Sequence, residues 1–186
     1  MAAPDRTSLV AIVAAGRDVL EEGGQSGLTM QAVARRVGVR APSLYKRVRD
    51  RDALVGLVAT ATVDDLTERL TTIEESLSGL ARAYRAFALE RPEGFRLILS
   101  TAADAGAVAR VTAPVLRLAA DLVGEAEALE AARLITAWVV GFISMELAGA
   151  FRLDGDLENA FEFALERLPV ALHRPGGHRT PDRAGR

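Results

Sequence analysis

Between Leu28 and Val58 the chain reads LTMQAVARRVGVRAPSLYKRVRDRDALVGLV, two short runs of helical apolar spacing separated by a glycine and carrying seven basic residues. Thr29 stands where an N-cap belongs, and Met30, Val33, Ala34 and Val37 follow at intervals of three, one and three, the face of a short amphipathic helix. Gly38 comes next, where a left-handed backbone is accessible to glycine without a steric penalty, and Val39 supplies an apolar residue for the turn. Pro42 suits the first turn of a second helix, expected over Ala41 to Arg47 with Leu44 and Val48 facing inward. Two helices joined by so short a turn form a helix-turn-helix, whose second helix stands proud enough to enter a major groove.

The outward positions of that second helix are Arg40, Ala41, Ser43, Tyr45, Lys46 and Arg47, a short, polar and basic set suited to DNA. Asp50 is placed to cap a longer helix, which sets Arg51 at a helix start where exposed amides also favour a phosphate. A solvated charge run would explain isolated arginines equally well. The distribution argues otherwise: Met30 to Arg51 holds seven basic residues against one acid, whereas Ala53 to Leu172 holds ten against eighteen. With a whole-chain net charge of -2, positive charge is concentrated in one segment, as an electrostatic footprint on nucleic acid requires. The DNA-contact set taken from the segment is Thr29, Arg40, Ala41, Pro42, Ser43, Tyr45, Lys46, Arg47 and Arg51.

Helical periodicity continues on both sides. Leu9, Ile12, Val13, Gly16, Val19 and Leu20 form one face of a first helix, expected to end at Gly23-Gly24. Leu54, Leu57, Val58, Ala61, Leu66 and Leu70 line a helix from about Arg51 to Leu70 that links the basic segment to the rest. Ile73, Leu77, Leu80, Tyr84 and Phe87 recur as one buried face until Arg91-Pro92 breaks it, and Phe95, Ile98 and Leu99 mark a short element. Val108, Val111, Val115, Leu118 and Leu122 form the next face, ended by Gly124, with Pro114 predicting a kink or a late start. With 186 residues, 49% apolar, 5% aromatic and few strand-like clusters, the chain is expected to be all-α, with about nine helices. A three-helix helix-turn-helix domain (1–50) would precede a larger helical bundle (51–172), followed by a disordered tail (173–186) rich in Pro, Gly and Arg.

Leu134 to Phe151, LITAWVVGFISMELAGAF, has Glu146 as its only charge and sits at the lower limit of a membrane span, but strongly amphipathic helices around it favour a buried bundle helix. Ala137, Gly141, Ser144 and Ala148 make a stripe of small residues that lets a partner helix approach closely, and Leu157, Phe161, Leu165 and Leu168 line the helix after it. Those eight residues are the expected homodimer interface, an isologous contact that presents two recognition helices to two half-sites about 34–36 Å apart in a palindromic or near-palindromic duplex. Glu146 is expected to pair with Arg82 or Arg85 rather than to orient a ligand. Residues lining a small-molecule pocket are sought among Tyr84, Phe87, Phe95, Val111, Trp138, Phe142 and Met145.

The stretch GLTMQAVARRVGVRAPSLYKRVRDRDALVGLVA resembles the DNA-binding domain of the TetR family of bacterial transcription regulators. That resemblance implies Tyr45 and Arg51 on phosphates, Ser43 and Lys46 near base edges or backbone, and Arg40 at the helix entrance. Family members often carry His and an aromatic where this chain has Arg47 and Val48, and Lys where it has Arg51, so base preference does not transfer. The second half, through ITAWVVGFISMELAGAF and DLENAFEFALERLPVAL, resembles the TetR C-terminal domain named for a Trp-His-Gly signature, with Trp138 and Gly141 present and Val140 in place of the histidine. The resemblance implies a repressor that a small apolar or amphipathic inducer releases from double-stranded DNA by a population shift.

Catalysis is the main rival, and its groups are missing. Both histidines, His173 and His178, fall in the tail, no cysteine is present, and no nucleophile-His-acid or metal constellation can be assembled. The acid pairs Asp64-Asp65 and Glu74-Glu75 are expected on solvated helix faces. No cofactor or metal is expected. MAAPDRTSLV lacks the basic and long apolar regions of a secretion signal, so a cytoplasmic location is expected. A helical ligand-binding or scaffold protein without DNA binding is the alternative, and the basic recognition face argues against it.

Overall fold

A computed structural model describes residues 8–73, 75–100 and 103–173. Among these, the chain forms nine α-helices, one 3₁₀ turn and no strand: α1 (Leu9–Gly27), α2 (Met30–Val37), α3 (Ala41–Leu44), α4 (Arg51–Thr71), α5 (Leu77–Glu90), α6 (Pro92–Leu99), α7 (Ala105–Val123), α8 (Ala128–Leu147) and α9 (Leu157–Leu172), with the 3₁₀ turn Glu125–Glu127 before α8. The expected all-α fold is observed. Local chemistry starts most of these helices: Ser8, Thr29, Asp50, Ser76, Asp104 and Asp156 each accept a backbone N–H of the first turn through the side chain. α3 and α6 carry proline in the first turn, where its missing N–H has no helical partner to lose.

Four boundaries differ from the sequence reading, each for a local reason. α1 does not stop at Gly23-Gly24; Gly24 takes a left-handed step (φ 62°) and the helix resumes to Gly27, so the glycine makes a kink rather than an end. α3 does not reach Arg47. After Leu44 the chain tightens, Arg47 N–H donating to the Leu44 carbonyl at 2.8 Å and Val48 N–H to the same oxygen at 2.9 Å. Val48 must turn into the core and Asp50 must be extended to cap α4, which leaves no room for another helical turn. Ile73 precedes α5 instead of belonging to it, because Ser76 caps the helix at Leu77. α7 starts at Ala105, well before Pro114, which is buried inside it.

Two large apolar cores form, beside a small cluster of Ala119, Ala131 and Ala132 between α7 and α8. The first gathers Ile12 and Leu20 of α1, Val33 of α2, Leu44 of α3, and Leu54 and Val58 of α4. The second gathers Leu66 and Leu70 of α4, Phe87 of α5, Phe95 of α6, Leu118 of α7, Ile143 of α8 and Phe161 of α9. α4 therefore runs through both, and α6 joins it, with Leu97 in the first core and Phe95 in the second. Gly16 lets α1 lie directly on α4: a Cβ at that position would sit 2.7 Å from Val58 Cγ2.

α8 packs against α7, α5 and α9, burying Ala131, Ala132, Ile135, Val139 and Ile143. The stretch Glu125–Leu147 is long and apolar enough to cross a bilayer by length and composition, yet one of its faces is a wall of the second core. Glu74 and residues 174–186, including His178 and all but the first residue of the expected tail, lie outside the described residues; His173 ends α9.

Candidate nucleic-acid interface and apolar cavity

The helix-turn-helix is built by backbone chemistry at Gly38. With φ 76° and ψ 33° it closes α2: Gly38 N–H donates to the Arg35 carbonyl at 3.1 Å and Val39 N–H to the Ala34 carbonyl at 2.9 Å. This pair of bonds satisfies two helix-end carbonyls and reverses the chain within two residues. Leu44 and Val48 are then drawn into the first core, as their spacing predicts, and Arg40, Pro42, Tyr45, Lys46 and Arg47 remain exposed, Tyr45 at 54%. Ala41 and Ser43 are half-buried beside them, and Thr29 serves as the α2 cap, its hydroxyl accepting from Ala32 N–H at 3.1 Å.

The basic residues of the segment divide by what holds them. Arg36 pairs with Glu22 of α1, and Arg49 pairs with Asp50 at 2.6 Å. Arg51 donates through Nε to the Leu28 carbonyl at 2.9 Å and through an Nη to the Gln25 carbonyl at 2.6 Å. Its guanidinium thus ties the start of α4 to the α1–α2 connection, an arrangement that helix-start reasoning did not anticipate. Arg40 and Lys46 make no ion pair among the described residues. The Asp50 carboxylate, which accepts from Ala53 N–H and from Arg49, is held below the usual carboxylate range by those hydrogen bonds.

Behind this surface, Asp65 of α4 pairs with Arg17 of α1 and with Arg69 one turn on. Partial burial alone would push the Asp65 carboxyl up; the two guanidinium hydrogen bonds outweigh it and hold the pKa below the ordinary 3.8. Asp65 is therefore a bridge between helices and not the solvated acid that the sequence suggests, while Asp64 pairs with Arg110 and Glu75 with Arg117.

In the larger bundle, a cavity of about 150 Å³ opens between α4, α5, α6, α7 and α8. Tyr84 and Val111 of the predicted set line it, with Leu66, Leu80, Val115 and Val139 among its other walls. The rest of the predicted set is elsewhere. Phe87 and Phe95 are fully buried core residues, Trp138 stacks on Phe161 at a ring-centroid distance of 5.4 Å, and Phe142 packs against the same ring at 5.1 Å with the two planes tilted by 56°. Met145 is exposed on α8. The walls escaped detection because aliphatic residues at helical spacing look identical whether they fill a core or border a void.

Glu146 belongs to neither site. It receives Arg85 Nε and Nη at 2.8 and 2.7 Å, with the two side chains 12% and 13% exposed, and Arg85 also pairs with Glu158 and lies over the Phe161 ring at 4.8 Å. The expected ion pair is present, to Arg85; Arg82 pairs with Glu162 instead.

Of the residues assigned to self-association, Ala137 and Ala148 are exposed and Gly141 and Ser144 half-buried on the outer side of α8, with open space where a Gly141 Cβ would point. The α9 set is placed differently. Phe161 and Leu165 are buried in the protomer's own core, and Leu157 and Leu168 are half-buried, so that face is already occupied. α9 presents Phe163 and Val170 outward instead.

Comparison with known proteins matches this geometry. Residues 12–58 fit the profile of the bacterial regulatory proteins of the tetR family, and residues 77–168 that of a tetracyclin repressor-like C-terminal domain. An uncharacterized HTH-type transcriptional regulator of Mycobacterium tuberculosis is 28% identical over 96% of this chain and 87% of its own length. The class A tetracycline repressor from transposon 1721 in Escherichia coli is 29% identical over 74% of this chain and 66% of its own. Among solved structures, a protein of unknown function from Rhodococcus sp. RHA1 superposes with a TM-score of 0.74 (23% identity, 88% of this chain and 94% of that one). A TetR variant from Acinetobacter baumannii AYE, crystallised with minocycline, superposes at 0.66 (23% identity, 88% and 95%). With the helix-turn-helix and the larger bundle each matched by a profile of the same family, the chain belongs to the TetR family of DNA-binding bacterial transcription regulators.

Proposed function

We propose that this chain is a cytoplasmic, homodimeric repressor released from its operator by a small molecule bound in the second domain. The observation that carries this reading is the path of α4. At its start Arg51 binds the Leu28 and Gln25 carbonyls where α1 leads into the helix-turn-helix, and Val63, Leu66 and Leu70 further along it wall the cavity. A guest that shifts the α4 wall acts on the recognition helix through one continuous rod, so differential affinity for two α4 positions becomes differential affinity for DNA. The minocycline complex of a similarly folded protein supports the use of such a bundle for ligand binding.

The DNA surface in this reading is Arg40, Ala41, Pro42, Ser43, Tyr45, Lys46 and Arg47, with Thr29 and Arg51 bracketing it, in a domain of residues 1–50 followed by one of 51–172. The dimer forms through the α8 stripe Ala137, Gly141, Ser144 and Ala148, flanked by exposed Leu134 and Met145 and by Phe163 and Val170 of α9. An isologous contact there carries two recognition surfaces to two half-sites of a near-palindrome. Fluorescence anisotropy against the duplex upstream of its own gene, over a series of salt concentrations, tests the reading. If roughly three cations per protomer reach phosphates, the log–log slope is about minus five for the dimer, and a duplex of random sequence competes poorly. Equal affinity for both duplexes, or a strictly monomeric chain, would count decisively against it.

A further inference from the structure

Resting on the cavity as the ligand site, we propose that its ligand is an uncharged, largely hydrocarbon molecule bearing a hydrogen-bond acceptor such as a ketone, ester or lactone carbonyl, which accepts from the Tyr84 hydroxyl. The walls decide the charge. Among the described residues no Asp, Glu, Lys, Arg or His lines the cavity, and its described walls are aliphatic apart from Tyr84, Thr112 and Thr136. A carboxylate or ammonium entering it would shed its hydration with no countercharge in reach, which a neutral molecule avoids.

The three polar residues are not equivalent. Thr112 already donates to the Val108 and Ala109 carbonyls at 3.0 and 3.2 Å, and Thr136 is exposed at the rim. Tyr84 packs edge-on against Phe95, with ring centroids 5.7 Å apart, and its hydroxyl has no hydrogen-bond partner among the described residues. Burial pushes its pKa up to about 12, so it enters the cavity as a protonated donor at any physiological pH. A phenol is able to donate to a ligand carbonyl and thereby gain the bond that water would otherwise supply.

Size follows from volume. A cavity of about 150 Å³ is what a benzene-sized guest fills, so one small ring or a compact branched unit occupies the interior. The mouth is framed by Leu99 and Val108, 45% and 44% exposed, which leaves an apolar path for a short tail. A six-membered ring ketone with a short alkyl substituent has this form.

The test uses the full chain and four compounds on one skeleton: 4-propylcyclohexanone, propylcyclohexane, 4-propylcyclohexanecarboxylate and 4-propylcyclohexylammonium. Affinities come from thermal shift and from amide chemical-shift titration. The ketone is expected to bind about three- to tenfold more tightly than the hydrocarbon, the acid and amine not at all, and Tyr84→Phe to bring the ketone down to the hydrocarbon's affinity while leaving the hydrocarbon unchanged. Tight binding of the acid or the amine, no binding by any of the four at millimolar concentration, or a ketone preference that survives Tyr84→Phe overturns the proposal. Parallel DNA anisotropy separates this from the regulatory reading. Ketone binding that leaves DNA affinity unaltered upholds the ligand class and removes ligand-controlled release, whereas release driven by the acid or amine does the reverse.

Discussion

Glu21, near the end of α1, caps α6 across the molecule: its carboxylate accepts the backbone N–H of Gly94 at 2.9 Å and of Glu93 at 3.1 Å. A Cβ on Gly94 would stand 3.0 Å from the Glu21 carboxylate and 3.1 Å from Thr62 Cγ2, so a larger side chain would press on the cap. The first turn of a helix has backbone donors without helical acceptors, and here the acceptor comes from the helix-turn-helix domain rather than from the preceding residues. α6 also sends Ile98 and Leu99 to the cavity, so the cap joins the cavity wall to α1 directly. Glu21→Ala should cost about 1–2 kcal/mol of stability and speed exchange of the Glu93 and Gly94 amides, read by hydrogen exchange. Unchanged protection of those amides would show the contact to be incidental.

Arg51 and Lys46 should separate in a salt titration. Arg51 is committed to the Leu28 and Gln25 carbonyls, so Arg51→Ala should lower the melting temperature and weaken DNA binding at all salt concentrations by a similar factor. Lys46 is exposed and makes no ion pair among the described residues, so Lys46→Ala should leave melting unaltered and reduce the salt slope by about one per protomer. A reduced slope for Arg51→Ala at normal stability would place that guanidinium on phosphate instead.

Gly16→Ala sets two effects of opposite sign against each other. Alanine favours a helix interior by about 1 kcal/mol over glycine. The new methyl would meet Val58 Cγ2 at 2.7 Å between two packed helices, and overpacking of this kind costs about 1–3 kcal/mol. Calorimetry should therefore give a lower melting temperature, and a rise would mean that α1 and α4 separate easily.

Removing one side of the Arg85–Glu146 pair should be worse than removing both. Glu146→Leu leaves a largely buried guanidinium with only Glu158 beside it and should cost about 2–4 kcal/mol, while the double variant Arg85→Leu, Glu146→Leu recovers much of that loss. Urea denaturation of the two variants beside the parent chain measures the difference.

Asp65 makes the α1–α4 contact sensitive to acid. Because its folded pKa lies below 3.8, the unfolded chain binds its proton first as pH falls; the contribution is complete above that value and is lost on going through the lower folded pKa. Asp65→Asn should cost about 1–2 kcal/mol at pH 7 and progressively less as melts are repeated down to about pH 3. A deficit that stays constant with pH would assign the loss to packing.

What was legible in the chain was what neighbouring residues decide among themselves. The Thr29 and Asp50 caps, the Gly38 reversal and the inward Leu44 and Val48 all depend on spacings of a few positions, and the structure reproduces them. So does the concentration of basic side chains around α3, which needs only a count. Which surfaces meet was beyond reach, because it is settled between residues far apart in sequence, as with Glu21 and Gly94, Arg17 and Asp65, and Arg85 and Glu146. The α9 stripe ending at Leu168 has the same periodicity whether it faces another protomer or its own core, and only packing against α5 and α8 buries Phe161 and Leu165 within the protomer. The cavity is the plainest case: a void has no residues of its own, and only the distance at which α4, α5, α6, α7 and α8 come to rest turns aliphatic core positions into walls.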